Sequence, residues 1–276
     1  MSHRHPQPGD LDLLGELLRE AAGEHILPRA ADPRARLKDD GSWVTDADLG
    51  MQRHLQARLA EHWPEVPLLG EEMSPERQLE LMAAEAAAPD GPGLWVLDPL
   101  DGTSNFTAGL PAFGPSLAWV QAGRVRLGLV LDVMRDELFD AALGRGARLQ
   151  GRGLRCPPPP PMQRTIACVD FKRLGPALAA SLATRPPYAS QRSLGSVALD
   201  WCWVAAGRFH LYVHGAQGLW DYAAGCLILA EAGGSAQTLQ GEPVFDNSLR
   251  KRSALAAVDA ALLRDWAAWV AGAAEA

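Results

Sequence analysis

Leu94-Trp95-Val96-Leu97 runs directly into Asp98-Pro99-Leu100-Asp101-Gly102-Thr103-Ser104-Asn105-Phe106, and this junction limits the chain more than any other segment. A short unbroken apolar run bounded by turn residues is a buried strand. At its end two carboxylates stand three residues apart with a proline between them, and Gly-Thr follows. Hard divalent cations take several oxygens from one rigid scaffold. Phosphate takes backbone N–H groups of the kind that a Gly-Thr turn opening a helix supplies. One loop therefore offers seats for a metal and for a phosphoryl group. Asp-Pro-x-Asp-Gly is also good turn chemistry, and on these residues alone that plain reading stays open. An aspartyl-phosphate loop needs carboxylates two apart, and an EF-hand needs a longer ligand run ending in Glu. Neither fits.

The 276 residues suffice for one large domain or two closely packed ones with a substantial core. The net charge of −7, with no basic block beyond Arg250-Lys251-Arg252, excludes nucleic acid as the main partner. No stretch approaches 18 apolar residues, so no membrane span is expected. Met1 to Pro6 has no apolar core of a leader peptide. Cys156, Cys168, Cys202 and Cys226 are scattered without a CxxC pair, as small core residues of a reducing compartment would be. A cytoplasmic location is the expectation.

Helical spacing of Leu11, Leu14, Leu18, Ala21 and Ala22 predicts a helix behind Asp10, and residues 46–63 a second. Val66 to Leu69 predicts a strand entering Gly70-Glu71-Glu72, and Leu79 to Ala88 a helix. Three β-like stretches follow the central loop, over 115–121, 125–133 and 137–143, with Gly123 in the first turn. Pro157 to Pro161 must be extended and lacks backbone donors, so it is read as a stiff connector rather than an SH3-type ligand. It would join subdomains over about 8–155 and 162–272 of a single domain spanning 8–272. Beyond it the pattern predicts strands at 165–169 and 209–213. Helices are predicted at 174–184, 196–206 and 221–232, and a last one opens at Asp259. Helices and strands in blocks favour stacked α and β layers over a TIM barrel.

Two further acidic sites accompany the central loop. Gly70-Glu71-Glu72 ends a strand, where ligands cluster in layered α/β proteins. Asp221, in Trp220-Asp221-Tyr222-Ala223-Ala224-Gly225, stands at the mouth of an apolar helix. One carboxylate there can both cap and bind metal, having two oxygens.

These segments, in this order and separation, resemble the inositol monophosphatase family of Mg²⁺-dependent, lithium-sensitive phosphomonoesterases. Val44-Thr45-Asp46-Ala47-Asp48, Gly195-Ser196 and Glu231-Ala232-Gly233-Gly234 match it as well, so the resemblance runs from about Leu11 to Trp269. It implies an α+β fold, layered as an α-β-α-β-α sandwich like that of fructose-1,6-bisphosphatase, and a homodimer. It further implies that Glu71, Asp98 and the carbonyl of Leu100 hold one Mg²⁺. Asp98, Asp101 and Asp221 would hold a second, and a third would lean on Glu71. Thr103, helped by Asp48, would orient and deprotonate the attacking water, and the N–H groups of Gly102 to Ser104 would cradle the phosphate. Glu71 is counted with Thr103 and Asp48 as catalytic. Gly195, Ser196, His214 and Asp221 would face the substrate.

The chemistry of the residues is consistent with that assignment. A phosphate monoester dianion repels hydroxide, and paired cations lower that barrier. None of the seven histidines falls in these motifs, so direct attack by water is expected rather than a phosphoenzyme. Inositol-specific members carry a Glu seven residues before the helix Asp. Here that position is His214, whose imidazole donates, accepts and can become cationic, so a different ester is open. Ser104-Asn105-Phe106 argues against the nucleotide-phosphatase branch. The substrate expected is a small phosphate monoester: inositol monophosphate or another polyol or sugar phosphate. Histidinol phosphate and fructose 1,6-bisphosphate are the alternatives. A second class of reading is a non-catalytic, metal-binding regulator that uses a surface rich in the nine tryptophans.

Overall fold

The computed structural model describes residues 5–37, 41 and 43–274; the first four residues of the segment read for a leader lie outside them. Helix α1 (Leu11–His25) precedes β1 (Ala35–Leu37), β2 (Trp43–Thr45) and α2 (Asp46–His62). Next come β3 (Leu68–Gly70), α3 (Pro75–Ala87), β4 (Leu94–Asp101) and the short α4 (Thr103–Ala108). A meander follows of β5 (Gly114–Gln121), β6 (Arg124–Asp132), β7 (Glu137–Ala142), β8 (Gly146–Leu149) and β9 (Arg152–Leu154). The second half runs β10 (Ile166–Asp170), α5 (Pro176–Thr184), β11 (Ser190–Arg192), α6 (Val197–Ala205) and β12 (Leu211–Gln217). It ends with α7 (Leu219–Glu231), β13 (Ser235–Gln237), β14 (Arg252–Ala257) and α8 (Ala260–Ala274).

Among the described residues β3 to β9 form one sheet in chain order, and a second has the order β11-β10-β12-β14-β13. In the first sheet only β3 and β4 run parallel. Strand β4 shows why both faces of that sheet are covered. Trp95 and Leu97 join the core formed with Leu14, Leu18, Met51 and Leu55 of α1 and α2. Leu94 and Val96, on the other face, join the core formed with α6, α7 and the second sheet. Alternate side chains thus enter opposite layers, as the period of two requires. Helix α7 comes so close to β6 that a Cβ on Gly128 would lie 2.9 Å from the carbonyl oxygen of Ala224. Leu178 and Leu182 of α5 and Leu262 and Trp266 of α8 close the far face of the second sheet. The layers are α-β-α-β-α, as the resemblance implies.

Local chemistry sets the ends of these elements. Thr45 caps α2, its hydroxyl accepting from Asp48 N–H at 3.4 Å, while Asp48 Oδ2 accepts from Thr45 N–H at 2.7 Å. These two bonds make a capping box. Asp259 caps α8 through Leu262 N–H at 2.7 Å. Pro176 is the first residue of α5, which moves its start two residues past the expected Leu174. Left-handed Ala122 and Gly123 (φ 52° and 64°) close β5 onto β6, the primed turn that matches strand twist. Residues 155–161 are irregular and carry the chain from β9 of the first sheet towards β10 of the second.

The strands β1, β2, β8, β9, β11, β13 and β14 are additions to the pattern expected from sequence. All four cysteines are free. No helix among the described residues is long and apolar enough to cross a membrane. The surface rich in tryptophan is corrected: Trp63, Trp95, Trp119, Trp201, Trp203 and Trp266 are buried, whereas Trp43 is exposed. Their large apolar rings fill the contacts between layers.

Candidate metal and phosphate site

The two carboxylates of the central loop lie within β4 rather than beyond it. Asp98 pairs with Ser116 and Asp101 with Gly114, so three steps along β4 match two along β5. Residues three apart in a regular strand point to opposite faces. The one-residue bulge at Pro99-Leu100 restores the parity, and both carboxylates emerge on the same face. Proline fits there because a bulge releases it from donating to the ladder.

The same face receives Asp221 from the first turn of α7. Asp98, Asp101 and Asp221 each present an oxygen within 4.8 Å of the others. Each carboxylate is oriented by the fold through one or more bonds. Asp98 Oδ1 accepts from Leu100 N–H at 3.0 Å. Asp101 Oδ2 accepts from Ser196 Oγ–H at 2.5 Å and from Ala198 N–H, at the start of α6, at 2.8 Å. Asp221 Oδ2 accepts from Gly218 N–H at 2.8 Å. Glu71, just past β3, is fixed through its backbone: its N–H reaches Leu97 O at 3.1 Å, and Gln78 Nε2 donates to the carbonyls of Gly70 and Glu71.

The charges are crowded. Burial, then Glu71, Asp101 and Asp221, push Asp98 well above the usual carboxylate range. Burial, then Asp101 and Glu71, do the same to Asp221, with Lys251 partly opposing. Burial raises Asp101 to about 6 against the bonds from Ser196 and Ala198. Oxygen ligands that resist ionising together form a seat for a hard divalent cation, whose charge reverses that balance. The donor set fits Mg²⁺.

Beside it, Thr103 opens α4. Its hydroxyl hydrogen has two acceptors, Leu100 O at 3.0 Å and Asp48 Oδ1 at 3.3 Å. Asp48 is 1% exposed, and burial lifts it to about 6, with Glu71 adding to the rise and the bonds from Thr45 opposing it. Gly102 precedes Thr103 in the left-handed region (φ 85°), and a Cβ there would lie 2.8 Å from Ala112 O. Only glycine satisfies both conditions. The N–H groups of Gly102, Thr103 and Ser104 stand at a helix start, where the first donors have no acceptor within the helix.

A cleft of about 360 Å³ opens over these groups, lined by Glu71, Ser104, Gly195, His214 and Asp221, with Lys172, Arg173 and Lys251 at its wall. A larger pocket of about 540 Å³ opens beside Arg29 and Thr45 and is lined by none of the four carboxylates of the site. His214 is 3% exposed. Its Nε2 lies 3.3 Å from Asp170 Oδ2, and its Nδ1 accepts from Ala216 N–H at 3.1 Å. Both ring nitrogens are thus engaged within the protein. The bond from His214 holds the Asp170 carboxyl below its usual range, against the opposing effect of burial. Ser196 is fully buried and its hydroxyl turns inward to Asp101.

Several positioning residues escape sequence reasoning. Asn105 Nδ2 donates to Ala112 O at 2.8 Å and to Leu194 O at 2.6 Å, tying α4 to the segment that carries Gly195. Gln52 Oε1 accepts from Glu72 N–H at 3.2 Å. The polar character of Asn105 within the motif is a signal; its partner 89 residues away is not.

The family model described as "Inositol monophosphatase family" matches residues 12–275. The Nus factor SuhB of Pasteurella multocida is 35% identical over 211 residues, covering 75% of each chain. The inositol-1-monophosphatase of Bacillus subtilis is 32% identical over 211 residues, covering 72% of this chain and 74% of that one. Among solved structures, the IMPase of Thermotoga maritima is 27% identical with a TM-score of 0.82, covering 97% of this chain and 98% of that one. A family match over nearly the whole length, joined to a carboxylate cluster on a bulged strand, identifies this chain as a member of the inositol monophosphatase family.

Proposed function

We propose that the chain hydrolyses a small phosphate monoester, inositol monophosphate or a related polyol or sugar phosphate, with Mg²⁺ as cofactor. The convergence of Asp98, Asp101 and Asp221 within 4.8 Å carries this reading. Asp98, Asp101 and Asp221 would hold one ion, and Asp98, Glu71 and the Leu100 carbonyl another, with Glu71 available to a third. A solved structure 25% identical to this chain, TM-score 0.77, is of an IMPase/NADP phosphatase complexed with Mg²⁺ and phosphate, which supports the choice of metal. Bound Mg²⁺ supplies Lewis-acid polarisation of phosphoryl oxygens and water.

The chain's own residues supply the rest. The N–H groups of residues 102–104 orient the phosphate. Thr103 directs its hydroxyl hydrogen to Asp48, leaving its oxygen to accept a bond from water. Asp48, raised to about 6, is ionised at neutral pH yet basic enough to take a proton, the compromise general base catalysis favours. His214 acts on the substrate through the cleft wall that it holds with Asp170, and Gly195 lines the cleft as backbone. Lys172, Arg173 and Lys251 favour esters that carry negative charge. The test is phosphate release from inositol 1-phosphate, histidinol phosphate and fructose 1,6-bisphosphate. Release should vanish with EDTA, return with Mg²⁺, and be lost in Asp101→Asn with the fold intact. A variant with near wild-type turnover would overturn the scheme.

The relatives named Nus factor SuhB favour a second reading, a metal-binding regulator without turnover. Tight binding of a partner protein together with no hydrolysis of any ester would select it.

A further inference from the structure

Outside the carboxylate site, α1 and α2 bring a second set of metal-ligating side chains together. His25 ends α1, and its ring lies over Gly50 of α2, where a Cβ would stand 2.6 Å from His25 Nδ1. The missing side chain lets the imidazole enter the helix interface and turn its other nitrogen to His54. His25 Nε2 and His54 Nδ1 are 3.2 Å apart. Glu24 closes the triangle, with Oε2 3.4 Å from His54 Nδ1 and Oε1 3.6 Å from His25 Nε2.

The two ring nitrogens are within hydrogen-bond distance, so one proton serves them; a metal ion is the alternative that would engage Glu24 as well. Metal–nitrogen bonds of about 2.0–2.1 Å in a tetrahedral site put ligand atoms about 3.3 Å apart, close to the 3.2 Å between the two ring nitrogens; Glu24 approaches the two rings with different oxygens. The remaining nitrogen of His54 supports the same assignment. Nε2 is buried without a hydrogen-bond partner and faces Glu20 Oε1 at 3.7 Å. A carboxylate behind the far nitrogen is the usual support of a metal-bound histidine, fixing the tautomer that frees the other nitrogen.

We propose that His25, His54 and Glu24 form a metal site of the zinc class, separate from the Mg²⁺ seat, which pins α1 to α2 with Glu20 as outer support. Imidazole nitrogens select Zn²⁺ and its neighbours over Mg²⁺. The site lies on the helix whose first turn carries Asp48, so it braces that turn.

The test uses the full chain, stripped with chelator and returned to excess Mg²⁺ so that the carboxylate seats are filled. Zn²⁺ is titrated against a colorimetric competitor, and thermal midpoints are recorded. One Zn²⁺ per chain should bind despite the Mg²⁺ and raise the midpoint. Co²⁺ in its place should give the intense visible bands of a four-coordinate centre. Glu24 is 63% exposed, so Glu24→Gln leaves folding untouched, and it should weaken Zn²⁺ by about tenfold or more, since even outer partners of ligand histidines are worth roughly 10–100-fold. His54→Ala should abolish the Co²⁺ bands, with circular dichroism reporting its fold. No uptake, uptake that Mg²⁺ displaces, or equal affinity in the wild type and Glu24→Gln would overturn the site.

Discussion

Replacing Asp48 by Asn in the chelated protein isolates one buried carboxylate. Asp48 rises from 3.8 to about 6 on folding, slightly more than two pH units, and at 1.36 kcal/mol each this amounts to about 3 kcal/mol. The sign follows from linkage. A carboxyl whose folded pKa lies above its unfolded one binds its proton more tightly in the native state. Its stability contribution is therefore full below about 3.8 and is lost as pH rises through about 6. Asn carries no proton to lose. Between pH 4, where the unfolded carboxyl is already partly ionised, and pH 8, about 2.5 kcal/mol of the full term should appear.

The stability of Asp48→Asn relative to wild type should thus improve by about 2.5 kcal/mol from pH 4 to pH 8, whatever its offset at pH 4. For 276 residues at about 2.1 cal/mol/K each, that corresponds to a relative gain of about 4 °C in melting temperature. Calorimetry in EDTA at both pH values measures it. Because Thr45 N–H and Thr45 Oγ1 donate to Oδ2, which an amide oxygen can replace, the capping box survives the change. A variant whose deficit stayed constant or grew from pH 4 to pH 8 would refute the reasoning. Asp48 would then be a stabilised anion and no base near neutrality.

Thr103→Val removes the hydroxyl shared between Leu100 O and Asp48; kcat should fall by about 10²–10⁴ with the melting temperature little changed, as steady-state phosphate release and a thermal scan would show. Gly102→Ala places a Cβ 2.8 Å from Ala112 O at φ 85° and should cost about 1–3 kcal/mol in urea unfolding, together with most of the activity. Asn105→Ala leaves the carbonyls of Ala112 and Leu194 without their donor; each costs about 1–3 kcal/mol if water does not replace it, and denaturant midpoints should drop accordingly.

Elements were legible in the sequence where side chains alone decide them. The apolar run 94–97 and the capped helices needed no distant partner. Strand β14 did. Arg252-Ser253-Ala254-Leu255-Ala256-Ala257 has alanines that favour helix intrinsically, yet it lies between β12 and β13 with Ala254, Ala256 and Ala257 fully buried. Pairing and burial override propensity there. Polar β11 is likewise a strand only through parallel pairing with β10. At the site, the acidic residues and Thr103 were legible by type. The bulge that turns Asp98 and Asp101 to one face, the inward hydroxyl of Ser196 and the double bond from Asn105 are products of register and long-range contact, which no local pattern records.

The placement of the carboxylates also explains how so crowded a set persists. Asp101 and Asp221 each meet the N-terminal turn of a middle-layer helix, α6 and α7, where free N–H groups and the helix dipole favour negative charge. Those helices are held in turn by both sheets: α7 contacts β4 to β7, and α6 contacts β12. The donors oppose the mutual repulsion without cancelling it, because Asp98, Asp101 and Asp221 all remain raised. A divalent cation bound to the native arrangement would relieve the residual repulsion, and the unfolded chain, with its carboxylates dispersed, offers no such seat. A cation bound there would therefore stabilise the fold by linkage.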